Sequence, residues 1–364
     1  MASTTQECCV KLGFAEDDQD PRLLCSHFFP SKIGGKPSWL SLSPLPEPDV
    51  LRCLKCNGMT IFLMQVYAPL QMRDDTFHRT LFLFVCPNAS CCDAGNAANF
   101  KLFRSQLSLV NSFYSKDPPS EEISKEEDLN KFPHAGHYHT LCQVCGIKGN
   151  KKCSQCKKTY YCSKEHQVYD WKDGHKKSCS QDSQLEEKNV SSLLFKEFDL
   201  VTEDEEYTEG DSNNSKSDEE RLLEYEQLMR SPQLQGLDEK YQAEDLEQSA
   251  KAETEDDKLF LKFKNRVDYE PTQVLRYSRG GEPLWVSAYN KPSPEDIPNC
   301  SCGAPRIFEF QVMPQLLNFL SVDRLDASLD WGIVCAYTCK DNCAISNSYK
   351  EEFVWKQDFH NTRL

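Results

Sequence analysis

Short apolar runs bounded by Pro, Gly and Asn recur near both ends of the chain. Met59–Tyr67 (MTIFLMQVY), Arg79–Val85 (RTLFLFV), Ile307–Met313 (IFEFQVM) and Trp331–Tyr337 (WGIVCAY) are rich in β-branched and aromatic residues. That composition favours the pleated, half-buried surface of a sheet, so each run predicts a strand. No stretch approaches the ~20 consecutive apolar residues of a membrane span. The N-terminus lacks a basic segment followed by an apolar one, so it does not read as a secretory signal and the chain is expected to be cytosolic or nuclear.

The runs sit in matching surroundings. Gly34-Gly35-Lys36-Pro37-Ser38-Trp39 is answered by Gly280-Gly281-Glu282-Pro283-Leu284-Trp285. Cys53-x-x-Cys56 follows the first Trp as Cys300-x-Cys302 follows the second. Then come Gln65-Val66 and Gln311-Val312, and finally Cys86 with Cys91 and Cys339 with Cys343. Each Gly-Gly suits a tight turn, and each Pro-x-Trp an extended, half-buried continuation. The expected fold class is α+β, mostly β. Two diverged β-rich repeats, residues 1–130 and 259–364, would pack as one discontinuous domain.

Charge divides the region between them. The chain of 364 residues carries a formal charge of −15, yet residues 181–260 alone hold 25 acidic and 8 basic side chains. With few aromatics, this stretch lacks the apolar surface to offset its ordering entropy, which predicts an acidic disordered linker over 181–258. It also suits a basic partner. Two islands interrupt it: Glu220–Arg230 has helical apolar spacing, and Val190, Leu194, Phe198 and Leu200 have the loose spacing of a nuclear export signal over residues 190–200.

Nineteen cysteines without a secretion signal point to metal rather than disulfides. The strongest pattern lies in a small module at 135–180. Cys142, Cys145, Cys153, Cys156, Cys162, His166, His175 and Cys179 form C-x2-C, C-x2-C, C-x3-H and H-x3-C pairs. Eight such ligands make two closed tetrahedral Zn2+ sites, and closed sites are structural. The module is otherwise Lys, Ser, Gln and Tyr, so metal binding is expected to supply most of its folding free energy. Cys53, Cys56, Cys86 and Cys91 would suffice for a further site, as would Cys300, Cys302, Cys339 and Cys343. Packing as small apolar side chains is the alternative, and spacing leaves the choice open. Cys8, Cys9, Cys25, Cys92 and Cys335 fit no pattern. His134, His137 and His139 read as a flexible polar entry to the module.

At these residues the sequence resembles the MYND zinc-finger family. The resemblance implies interleaved sites, one of Cys142, Cys145, Cys162 and His166, the other of Cys153, Cys156, His175 and Cys179. His166 stands where that family usually has cysteine. It further implies a proline-containing peptide ligand, with Gln167 and Trp171 at the family's contact positions. Nine lysines against three carboxylates give the finger a net charge of +6. Any nucleic-acid contact would be weak or indirect, because no helix presents base-reading side chains in register.

SKIGGKPSWL, CLKCNGMTIFLMQVYAPL, the finger and CGAPRIFEFQVMPQLLNFL together resemble the programmed cell death protein 2 family. That resemblance implies a non-enzymatic chaperone or adaptor of nucleus and cytoplasm for small-subunit ribosomal protein S2 in 40S ribosome biogenesis, supporting proliferation and survival. The alternative is a nuclear, apoptosis-linked adaptor recruiting corepressors through the finger. The sequence lacks a Gly-rich phosphate loop, a G-x-S-x-G elbow and H-E-x-x-H, so catalysis is not expected.

Overall fold

The computed structural model describes residues 9–17, 19–120, 129–179, 193–207, 254–320, 322, 329–345 and 348–359. The expected helix over Glu220–Arg230, together with Cys8 and Val190, lies outside these. Among the described residues no helix is long and apolar enough to cross a membrane.

Among the described residues twelve strands carry the fold. The first half contributes β1 (Lys11–Glu16), β2 (Lys32–Ile33), β3 (Ile61–Tyr67), β4 (His78–Val85) and β5 (Phe100–Leu107). The finger holds β6 (Lys151–Lys152) and β7 (Tyr160–Tyr161). Then follow β8 (Phe198–Asp204), β9 (Leu275–Tyr277), β10 (Arg306–Val312), β11 (Ile333–Cys339) and β12 (Tyr349–Gln357). All but the finger pair close into one ten-stranded barrel, ordered β1-β8-β2-β3-β4-β5-β12-β11-β10-β9. The protein is mostly β with few helices, as expected, and both terminal halves share this one sheet.

The sheet is covered on both faces. Along β10 and β11, Phe310, Val312, Val334 and Ala336 enter the main core, while Phe308, Ile333, Cys335 and Tyr337 join a second cluster. Successive side chains of a strand point to opposite faces, so these are the inner and outer surfaces. Phe263 and Val267 of the helix Glu255–Tyr269 roof the outer cluster. That helix starts with a capping box at Thr254 and Asp257.

Two details repeat between the halves. Register shifts fall between Phe62 and Met64 in β3, and between Phe308 and Phe310 in β10. In each strand the glutamine just beyond the bulge holds the incoming Gly-Gly-x-Pro loop. Gln65 Oε1 accepts from Ser38 N–H at 2.9 Å, and Gln311 Oε1 accepts from Leu284 N–H at 2.6 Å.

The halves are also joined by buried ion pairs. Arg79 of β4 meets Glu309 of β10 through two bonds of 2.7 and 2.8 Å, with both side chains 0% exposed. Arg104 of β5 binds Glu352 of β12 at 2.8 Å, and Arg306 approaches the same carboxylate at 2.9 Å. Both carboxylates therefore sit where guanidinium forks satisfy them in place of water.

The acidic stretch departs from expectation at both ends. Phe198–Asp204 is a barrel strand, paired with β1 over six residues and with β2 over two. Glu255 onward is helix. Phe198 and Leu200 are apolar and alternate, enough to seat a strand inside an otherwise charged segment. The export-signal pattern is corrected by the same fact: Leu194, Phe198 and Leu200 are buried in the main core. The Gly34 turn packs against this segment. Gly34 and Gly35 both have φ of 65°, and a Cβ on Gly34 would lie 2.0 Å from the Lys196 carbonyl oxygen. Only glycine fits there.

Candidate metal centres

The finger begins with the turn Cys142–Gly146, where Gly146 adopts φ of 71°. Its helix, α1 (Lys164–Asp170), is capped by the buried Ser163, whose Oγ accepts from His166 N–H at 3.2 Å. The cap fixes His166 on the first turn, facing the cysteines. Beyond α1 the chain widens into a single π-helical turn, Trp171–His175, broken at Gly174 with φ of 147°. That turn swings His175 and Cys179 back toward the second knuckle.

Two four-ligand sets result. Cys142, Cys145, Cys162 and His166 form one; Cys153, Cys156, His175 and Cys179 form the other. Within the first, Cys145 and Cys162 Sγ atoms are 3.7 Å apart, and His166 Nδ1 lies 3.7 Å from Cys142 Sγ and 3.1 Å from Cys162 Sγ. Within the second, Cys153 and Cys179 Sγ are 3.8 Å apart, and His175 Nε2 is 3.6 Å from Cys156 Sγ. A tetrahedral ion with Zn–S bonds of about 2.3 Å requires edges of roughly 3.8 Å. Sulfurs at this spacing are too far apart for the ~2 Å bond of a disulfide. The donor sets therefore fit zinc, with His166 presenting Nδ1 and His175 Nε2.

Two supporting residues escaped the sequence reading. Asp170 Oδ2 lies 4.0 Å from His175 Nδ1 and accepts the Tyr161 hydroxyl at 2.7 Å, all three being buried. At 4.0 Å the carboxylate acts on the imidazole through its charge rather than through a direct hydrogen bond, which favours an electron-rich ring. An Asp five residues before a ligand has no helical signature; it reaches the ring only through the π turn. Gly174 likewise looks ordinary in sequence.

The finger is not self-contained. Val144, Ile147 and Tyr161 belong to the same apolar cluster as the barrel. Trp39 Nε1 donates to Gly146 O at 3.0 Å, Lys36 Nζ to Gln143 O at 2.8 Å, and Lys148 pairs with Glu47. Trp39, expected half-buried, is 1% exposed, its ring packed on Phe82, Phe84 and Tyr349 of the barrel and its indole N–H bonded to the finger. Beside the metal expected to supply most of the module's folding free energy, the barrel supplies part of its core. His134 and His137 form a short 3-10 turn with rings 3.8 Å apart, and His139 Nε2 is 3.1 Å from Ser43 Oγ. They are anchored to neighbouring residues rather than forming a loose entry. Gln167 and Trp171 lie one turn apart on the same side of the helix, both half-buried, with Trp171 packed against the main cluster.

Both outer cysteine sets come together as well. Cys53, Cys56, Cys86 and Cys91 gather before β3 and after β4, with Cys56 and Cys86 Sγ 3.7 Å apart. Cys300 and Cys302 before β10 meet Cys339 at the end of β11 and Cys343 beyond it, with two Sγ pairs at 3.7 Å. These are the same tetrahedral edges as in the finger. Cys9, Cys25, Cys92 and Cys335 join no set.

Comparison with known proteins follows the same division. Residues 9–121 match the family model described as programmed cell death protein 2, N-terminal domain, and residues 257–358 its C-terminal putative domain. Residues 142–179 match the MYND finger. The chain is 45% identical to programmed cell death protein 2 of Rattus norvegicus, over 97% of each chain. It is 28% identical to programmed cell death protein 2-like of Homo sapiens, over 86% of this chain and 85% of that one. The probable 20S rRNA accumulation protein 4 of Schizosaccharomyces pombe is 23% identical over 85% of this chain and 87% of its own. No solved structure matches. With its relatives matched nearly end to end and both halves recognised, the chain belongs to the programmed cell death protein 2 family.

Proposed function

We propose that this protein is a non-enzymatic, zinc-built carrier that binds small-subunit ribosomal protein S2 and escorts it to 40S assembly, moving between nucleus and cytoplasm. The observation that carries this reading is likeness, over most of both chains, to a fission yeast protein named for 20S rRNA accumulation. Charge supports it. A ribosomal protein is strongly basic, and the excess of 25 acidic over 8 basic side chains in residues 181–260 would screen it before RNA does. The matching bulges and loop-holding glutamines support descent of the two halves from one duplicated unit. The tetrahedral edges support four zinc ions per chain, two of them in the finger.

The test is affinity capture of S2 by the full chain across a salt series. Stoichiometric S2, weakened but retained at high salt, is expected. Absence of S2 from every capture would end the carrier reading. The corepressor reading draws on Gln167 and Trp171 sharing one side of the finger helix. If it holds, Trp171→Ala removes the cellular phenotype and leaves zinc content and S2 capture unchanged.

A further inference from the structure

Cys343, a ligand of the C-terminal outer set, lies on the seam where the two halves join. In the β5–β12 ladder Arg104 stands directly opposite Lys350. Like charges facing each other across two strands destabilise their pairing. Here both reach one sulfur: Lys350 Nζ is 2.9 Å and Arg104 Nη2 3.5 Å from Cys343 Sγ. Carboxylates do not make up the balance. Lys101, Arg104 and Arg306 already share Glu351 and Glu352, so with Lys350 the cations exceed the carboxylates by two. Four thiolates on one divalent ion carry two negative charges, since the thiolate rather than the thiol is the ligand.

The turn that carries this sulfur is gripped by its main chain as well. Cys339 O accepts from Asn342 N–H, and Asn342 takes φ of 44°. Three successive carbonyls then meet donors of the N-terminal half. Asp341 O accepts from Arg73 Nη1 at 2.6 Å, and Asn342 O from Gln106 Nε2 at 3.4 Å. Cys343 O accepts from Arg104 Nη1 and Nη2, each at 3.3 Å. Cys339 and Cys343 are the two ends of the turn, so an ion held by both fixes the conformation that lines these carbonyls up. The N-terminal outer set is built differently. Its sulfurs take bonds from their own turn, Cys53 from Lys55 N–H at 3.4 Å and Cys56 from Gly58 N–H at 3.3 Å.

We infer that the C-terminal outer centre is a metal-dependent latch on the barrel. With zinc held by Cys300, Cys302, Cys339 and Cys343, the Cys343 thiolate neutralises the Arg104–Lys350 pair, and residues 341–343 present their carbonyls to the N-terminal half. Loading of this one centre therefore governs how firmly β5 and β12 stay paired. That ladder is short, four residue pairs from Ser105 with Tyr349 to Leu102 with Glu352, so a latch beside it has a large share in closing the sheet. The inference rests on the reading of four zinc ions per chain. Linkage makes it reciprocal: what the ion does for the seam, the seam does for the ion.

Zinc content and amide exchange, measured together on the full chain in excess zinc, test the latch. Cys302→Ser, at an exposed ligand, should remove one zinc and speed exchange of residues 102–105 and 349–352 about fivefold or more. Cys56→Ser, also at an exposed ligand, should remove one zinc and leave that ladder as it was. Adding Lys350→Gln to Cys302→Ser should shrink the acceleration, because the like-charge pair is then gone. Arg73→Ala, at a side chain 45% exposed, keeps every ligand. It should nevertheless weaken zinc at the C-terminal centre in chelator competition and leave the N-terminal one unchanged. Zinc lost from Cys302→Ser with the ladder unmoved would overturn the latch alone. So would equal acceleration by Cys56→Ser, or an acceleration undiminished by Lys350→Gln. Wild type without zinc at this centre refutes the four-ion reading and the latch with it.

Discussion

Replacing Glu309 by Gln keeps the shape of the side chain and removes its charge. Arg79 is then left cationic with no exposed surface, and Arg279, 3.3 Å from the same carboxylate, loses that ion pair while keeping its bonds to the Cys339 and Lys340 carbonyls. The Tyr277 hydroxyl, 2.7 Å away, and Thr338 also depend on that carboxylate. Removing one partner of a buried pair costs about 3–5 kcal/mol, because the other charge stays desolvated. For a fold of this size that lowers the melting temperature by roughly 6–20 °C. Titration gives an independent handle. The surrounding guanidinium groups outweigh burial and hold Glu309 down at about 2, from an ordinary value of 4.5. A depressed carboxylate contributes stability that is full above its unfolded value and is lost as pH falls through the folded one. Wild type should therefore lose about 3 kcal/mol from this group between about pH 5 and pH 2. Glu309→Gln should show a correspondingly shallower acid slope. Urea denaturation at saturating zinc, repeated across that range, measures both. The double change Arg79→Met with Glu309→Leu should recover most of the loss, since a buried pair often does no better than apolar residues of its size. A single-variant cost below about 1 kcal/mol, or an unchanged acid slope, would refute this account.

Three more outcomes follow from the metal sites and the turn that holds β8. Zinc measured by mass spectrometry should be four per chain, and three after Cys53→Ser with Cys56→Ser, the finger remaining loaded. Asp170→Asn, which removes the charge 4.0 Å from His175 Nδ1, should weaken the second finger site in chelator competition with the first site unaffected; equal loss at both would mean the residue serves packing alone. Gly34→Ala places a methyl group on the Lys196 carbonyl and forces positive φ on a residue that resists it. The expected cost exceeds about 1 kcal/mol by thermal melting, and β8 should exchange its amides faster than β4.

The finger was legible because its information is local: ligand spacings of two and three residues specify turns and one helical face whatever surrounds them. β3, β4, β10 and β11 were legible for a similar reason, being runs of Val, Ile, Leu and Phe bounded by breakers. β5 and β12 were not. Phe100–Leu107 reads FKLFRSQL, and its Lys101 and Arg104 suggest a solvated face, yet every residue in it is buried. The reason lies far along the chain, in Glu351 and Glu352, which neutralise those cations. β8 was hidden by its setting among carboxylates. Asp170 was hidden because a π turn, invisible as a pattern, brings it behind His175.

The position of β8 sets an order of events at birth. β1 is flanked in the barrel by β8 and β9, both made after the finger. At about 5–20 residues per second, roughly ten to forty seconds pass between synthesis of β1 and the arrival of its first neighbour. During that interval the opening strand has both edges unsatisfied, next to an apolar half-sheet that cannot yet close. A nascent chain of this design is exposed to aggregation at β1 while about half of the 364-residue sequence is made, and β1, first of the described strands, is paired only after β2 to β5 have been synthesised.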